Sequence, residues 1–265
     1  MSFGFIEHPD TWKSRTRDEV LMAVKRLQEM HTQGMLGGEF MPEDSHPELP
    51  LGSAENYHYF TLPMALNYQR NSYALWRAAA KTYAGPETAY LFDPHRVSKA
   101  ETDDVRIHLL KHRLAVQPRK HIDTWVSLCV TVCELLHGDI RMLFRSCGSD
   151  VALIRDFVQV ANKQRFPYLS GRKICNYWLY VMDQYTDCQL QNRGKLTVAP
   201  DTHVIQATII LGILPPNMRD DPEIPSAVSA AWIEILAGTG IEPIDIHTPL
   251  WLWSRRGFRP SVYPS

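Results

Sequence analysis

Two short stretches of this sequence combine side chains whose types and spacing suit chemistry on an anionic substrate. In RFPYLSGRKICNYW (165–178), Arg172 and Lys173 follow a tight Leu169-Ser170-Gly171 turn. Ile174, Tyr177, Trp178 and Val181 then recur at i, i+3, i+4, i+7, so a helix is expected to start near Gly171. Cations at the positive end of a helix cost about 0.3–1 kcal/mol each. The sign changes once an anion binds there, because outward-facing backbone N–H groups of the turn hold a phosphate and the cations flank it. Leu169, Ser170, Gly171 and Arg172 are therefore candidate phosphate-binding residues. Without a ligand, Arg172 and Lys173 simply extend into water.

The second stretch, LTVAPDTHV (196–204), sets Asp201 in front of a helix whose Val204, Ala207, Thr208 and Leu211 face one way and whose Gly212 breaks it. Read alone, Asp201 is an N-cap. Facing a substrate, the same carboxylate stabilises a developing positive charge or positions a nucleophile. His203 and His247 read as satisfied histidines or as site residues, and Trp178, Tyr180, Met182 and Tyr185 as a core stripe.

Other chemistry is excluded or weakly signalled. Five cysteines with no CxxC pair read as reduced thiols rather than a disulfide framework or a zinc ribbon. Cys129, Cys133 and His137 fall at i, i+4, i+8 on one helical face, but no fourth ligand is evident. No metal and no cofactor are expected. A net charge of −1 argues against bulk binding of a polyanion, so any nucleic-acid surface must be local. Cations crowd into 106–121, 163–173, 192–195 and 254–259, whereas 41–48 and 219–223 are acidic. No apolar run approaches the 18 residues that span a bilayer, and the first residues lack the apolar centre of a signal peptide. The expectation is a monomeric cytoplasmic protein without a membrane partner.

Helices must position these residues. Periodicity is helical almost throughout the 265 residues, and the 45% hydrophobic content supports a substantial core, so the fold class is all-α. A first helix is expected in TRDEVLMAVKRLQEMHTQG, with Val20, Met22, Val24 and Leu27 on or near its apolar face and Gly34 stopping it. The acidic, proline-rich 41–50 reads as a loop with little structure. Ser72 is expected to cap YALWRAAAKTYA, and Ser98 with Glu101 to form a capping box ahead of TDDVRIHLL. Further helices are expected in IDTWVSLCVTVCELL, IRMLFRSCG, SDVALIRDFVQVAN, PSAVSAAWIEILAGTG and DIHTPLWLWSRRGF.

Taken together, GRKICN (171–176) and VAPDTHV (198–204) resemble the helix-hairpin-helix DNA glycosylase superfamily. There, a hairpin ending in Gly-(Arg)-Lys precedes an apolar segment and a Val-Asp-Thr-His-Val that opens a helix. The hairpin PYLSG departs from the usual Leu-Pro-Gly-Val-Gly. LPMALNYQRNSYALW (62–76) looks like the early helix-turn-helix whose turn residue reaches the base pocket, and Gln69 holds that place. GIEPIDIHTPLWLWSRR (240–256) is similar to the last helix of the archaeal 8-oxoguanine glycosylases, a branch without an iron–sulfur cluster. The resemblance covers about residues 55–258.

The resemblance implies two helical lobes, a helix-hairpin-helix motif and an active-site cleft between the lobes. The lobes would be a helical bundle over 55–190 and a C-terminal lobe over 191–265, with an N-terminal segment, 1–54, packed on the latter. It further implies double-stranded DNA with an extruded modified base as partner, and excision of that base to leave an abasic site. Asp201 would be catalytic, with Gln69, Trp76, His247 and Trp251 in the base pocket, Trp76 and Trp251 stacking on the base. Aligned on endonuclease III-like members, Lys173 is a Schiff-base nucleophile. Aligned on the archaeal branch through KICNYWLYVM, Lys173 reads the base, Phe166 falls at the nucleophile's place, and water cleaves the bond. His247 stands where that branch has an acidic residue, which points away from 8-oxoguanine toward another modified base, such as a modified cytosine of phage DNA. Two other classes stay open: a hydrolase of free modified nucleosides, similar to queuosine-salvage enzymes, and a non-catalytic DNA-binding module.

Overall fold

A computed structural model describes residues 12–37 and 41–263. Among them are twelve α-helices and no strand, only one isolated bridge between Asp150 and Gln191. In chain order they are α1 (Arg17–Thr32), α2 (Ala54–Thr61), α3 (Ser72–Ala84), α4 (Pro94–Val97), α5 (Thr102–Lys111), α6 (Lys120–Leu136), α7 (Arg141–Ser146), α8 (Val151–Arg155), α9 (Arg172–Tyr185), α10 (Thr202–Ile210), α11 (Ile224–Leu236) and α12 (His247–Arg255). The all-α expectation holds. The chain divides into two compact units, Met1–Glu39 with Leu196–Ser265, and Phe40–Lys195.

The first unit is built on α1, α10, α11 and α12. Thr16 opens α1 with a capping box: its side chain accepts from the Glu19 N–H while the Glu19 carboxylate accepts from the Thr16 N–H. The buried stripe is Val20, Ala23, Val24, Leu27 and Met30, a strict helical register that leaves Met22, expected on or near the apolar face, 65% exposed. Buried indoles find acceptors throughout this unit, with Trp232 Nε1 donating to Thr208 Oγ1 at 3.0 Å and Trp253 Nε1 to the Pro260 carbonyl at 2.9 Å. Gly212 ends α10 at φ 74, and a Cβ there would sit 2.5 Å from the Lys13 carbonyl oxygen. The close approach is sealed by a hydrogen bond from the Arg15 N–H to the Gly212 carbonyl, 3.1 Å.

The second unit gathers α2 to α9 around aromatic rings. Tyr59 stacks on Phe92 at 5.4 Å, Phe92 meets Trp125 edge-on at 5.6 Å, and Phe144 meets Trp178 at 5.6 Å. Trp125 Nε1 donates to the Leu91 carbonyl and Trp178 Nε1 to Thr61 Oγ1. Three local expectations are corrected. Asn71, not Ser72, caps α3 by accepting from the Ala74 N–H at 2.9 Å. Ser98 closes α4 instead of opening α5; its hydroxyl donates to the His95 carbonyl. The acidic loop carries a 3₁₀ turn, Pro42–Asp44, which buries Glu43 to 1% exposure.

That turn also moves the domain boundary. Trp76 Nε1 donates to Glu43 Oε1 at 2.9 Å, and Tyr185 Oη to Asp44 Oδ1 at 2.7 Å, so residues 41–54 belong with the second unit rather than with the N-terminal segment. Burial holds the Glu43 carboxyl up at about 7, against 4.5 in the open.

Candidate functional site

In the first unit the chemistry converges on the N-terminus of α10. Asp201 caps that helix from an extended backbone, its Oδ1 accepting from the Val204 N–H at 2.9 Å. Its second oxygen, Oδ2, accepts from Trp251 Nε1 at 3.1 Å. A capping aspartate needs only the first of these bonds, so the indole adds an orienting donor that helix termination does not require. The carboxylate is half-buried. Lone pairs remain on each oxygen for a further partner.

The residues around it are supplied by α12. His203, in the first turn of α10, shares a hydrogen bond between Nδ1 and Ser254 Oγ at 3.1 Å, and its ring meets Trp251 edge-on at 5.2 Å. The Arg255 guanidinium lies 5.4 Å from the centre of the Trp251 ring. His247, Trp251 and Ser254 stand at i, i+4, i+7 on α12, the spacing that turns all three to one face. Trp251 is 7% exposed and His247 is 1% exposed. Trp251, expected to stack on a base, is thus largely enclosed by protein groups, and its indole N–H is engaged by Asp201. His247 Nδ1 accepts from the Ala199 N–H at 3.3 Å, which puts the proton on Nε2 and makes the ring a brace for the segment leading into Asp201.

The second unit holds the cationic corner. α9 begins as expected, with Gly171 at its N-cap and no side chain capping it. The turn amides differ from the expectation. The N–H groups of Leu169, Ser170 and Gly171 donate to the carbonyls of Pro167, Phe166 and Tyr168 at 2.7, 2.9 and 2.9 Å. Leu169 is also fully buried. The donors left for an anion at the start of α9 are therefore the first-turn amides of Arg172, Lys173 and Ile174, since in-helix bonding resumes with the Cys175 N–H on the Gly171 carbonyl. Arg172 and Lys173 are exposed, and among the described residues neither forms an ion pair.

Neighbouring elements fix this corner. A π-helical turn, Asp156–Ala161, aims Gln159 Nε2 at the Ser170 carbonyl, 3.1 Å, and Ser170 Oγ donates to the Lys163 carbonyl. Thr131 Oγ1 donates to the Arg165 carbonyl at 2.9 Å, and Arg165 pairs with Glu134. Burial, helped by the positive charge of nearby Arg172, holds the Arg155 guanidinium below the usual value. Phe166, where one alignment would place the nucleophile, is fully buried.

Gln69 joins the same corner. It is exposed, at φ 49, on the turn between α2 and α3, and the preceding Tyr68 ring lies 5.6 Å from the ring of Tyr168, which itself has φ 59. Sequence reasoning missed this tyrosine pair, because nothing in spacing says that residues 100 apart meet. Trp76 is corrected: it is fully buried against Tyr59 and Phe60, with its indole on Glu43, and offers no surface for stacking. Cys129 is buried and His137 contributes a backbone carbonyl rather than its ring, so the suspected metal stripe is not assembled. No group of three metal-ligating side chains exists among the described residues. Compared with protein-family models and with curated sequences, the chain matches none of them.

Proposed function

We propose that this protein is a DNA N-glycosylase that excises a modified base and leaves an abasic site. The observation that carries the reading is the Asp201 carboxylate, held by the α10 amide and by the Trp251 indole together. Breaking an N-glycosidic bond sends the electron pair out with the base and leaves positive charge on the sugar. A fixed carboxylate stabilises that charge and orients the water that adds to C1′.

The second unit supplies the complementary requirement. Arg172, Lys173 and the first-turn amides of α9 suit a phosphate, and the exposed Tyr68, beside Tyr168 and Gln69, suits the face of an unstacked base. Under this reading Lys173 serves the backbone or the base, and water is the nucleophile.

The test is base release from a panel of natural and modified duplex DNAs, read by mass spectrometry. Asp201→Asn should lose roughly 10²-fold or more in release while still binding the substrate duplex. Equal rates for variant and parent would end the catalytic role of Asp201. Activity on free nucleosides alone, unchanged in Arg172→Glu, would replace DNA by a nucleoside as substrate. A borohydride-trapped protein–DNA adduct lost in Lys173→Gln would replace water by that amine.

A further inference from the structure

We propose that Cys133 and His95 form a base-assisted thiol that exchanges with low-molecular-weight disulfides, a covalent modification site independent of the proposed glycosylase chemistry. Cys133 lies in the last turn of α6 and is half-exposed, with Sγ 3.7 Å from His95 Nδ1 and 3.6 Å from Ser98 Oγ. His95 Nε2 lies 3.2 Å from the His137 carbonyl. A carbonyl only accepts, so the imidazole proton sits on Nε2 and the Nδ1 lone pair is left toward the thiol. A nucleophile, a base and a third group that orients the base are thus in place.

The seat of the imidazole is built by backbone. His137 and Gly138 close α6 at φ 54 and 81, and a Cβ on Gly138 would fall 1.9 Å from His95 Nε2. Only a glycine there lets the ring settle against the corner. The other four cysteines are buried, and burial raises the thiols of Cys129, Cys147, Cys175 and Cys188 above the ordinary value. The carbonyl end of α6 gives no help to an anion, so the imidazole is what distinguishes this thiol.

The step is a thiol–disulfide exchange. His95 Nδ1 takes the Sγ proton as Cys133 attacks one sulfur of the incoming disulfide. The S–S bond breaks, and the leaving thiolate takes the proton back from the imidazolium. Cys133 is oxidised to a mixed disulfide while the other half of the reagent is reduced to a free thiol.

The experiment treats the full chain at pH 6 with oxidised glutathione and follows intact mass and peptide maps. One adduct should form, on Cys133, and Cys133→Ser should abolish it. The native protein should react at Cys133 about fivefold or more faster than the same thiol does in the urea-unfolded chain, a comparison that needs no variant. His95→Gln should remove that advantage, and so should Gly138→Ala, whose Cβ displaces the His95 ring while both residues of the pair stay unsubstituted. Adducts on another cysteine, a native rate no greater than the unfolded one, or an unchanged rate in folded His95→Gln would overturn the proposal.

Discussion

Glu43→Gln offers a quantitative test of how the second unit is held together. The parent carboxyl, 1% exposed, stays protonated up to about 7, whereas in the unfolded chain it ionises near 4.5. A group raised on folding adds stability that is complete below the unfolded value and disappears as pH climbs to the folded one. Over that interval the loss is about 3 kcal/mol, at 1.36 kcal/mol for each tenfold change in proton affinity. His58 works in the opposite direction. It is 6% exposed, its Nε2 accepts from the Ile140 N–H at 3.4 Å, and burial lowers it from 6.5 to about 4. Its contribution is complete above 6.5 and is lost as pH falls to about 4, again by about 3 kcal/mol. Between pH 4.5 and 6.5 the two slopes oppose and largely cancel in the parent. Glu43→Gln keeps the Oε1 acceptor for Trp76 but has no proton to lose, so the His58 slope emerges. Urea unfolding, followed by circular dichroism at half-unit steps from pH 4 to 7.5, should find the variant gaining about 3 kcal/mol relative to the parent between pH 4.5 and 7. Parallel curves for the two proteins would refute the assignment of a buried, neutral Glu43.

Other outcomes follow from single contacts. Trp251→Phe removes the indole donor from Asp201 while keeping a ring in place; base release should fall roughly 10- to 100-fold, the value of a hydrogen bond to a charged group, measured below the variant's own melting temperature, where circular dichroism shows it folded. Arg172→Glu should weaken duplex binding for all sequences alike and lower the salt slope by about one phosphate contact, measured by fluorescence anisotropy at several salt concentrations. Gly212→Ala places a Cβ 2.5 Å from the Lys13 carbonyl at a left-handed position, and should cost about 2 kcal/mol or more in urea unfolding.

What the sequence made legible was local. The start of α9 at Gly171, the capping of α10 by Asp201 and the stop at Gly212 follow from spacing, caps and glycine conformation within a few residues, and all three stand in the structure. The buried face Val204, Ala207, Thr208 and Leu211 was readable for the same reason. What escaped depends on partners distant in the chain. The burial of Glu43 against Trp76 turns an apparent loop into core and an apparent pocket aromatic into a hydrogen-bond donor. The Trp251 indole reaches Asp201 across 50 residues, and His247 braces Ala199 across 48. Even the 169–171 turn hid its amides, because Tyr168 takes a left-handed backbone that its residue type does not advertise.

Tyr168 links local stability to surface character. Held at φ 59, it sits where glycine would rest without the steric cost of roughly 1–2 kcal/mol that a larger residue bears. Swapping it for glycine relaxes the backbone and, by the same act, deletes the ring that meets Tyr68. At this tip a gain in thermal resistance and a loss of aromatic surface are therefore a single event, and laboratory selection for heat tolerance alone would erase the tyrosine pair.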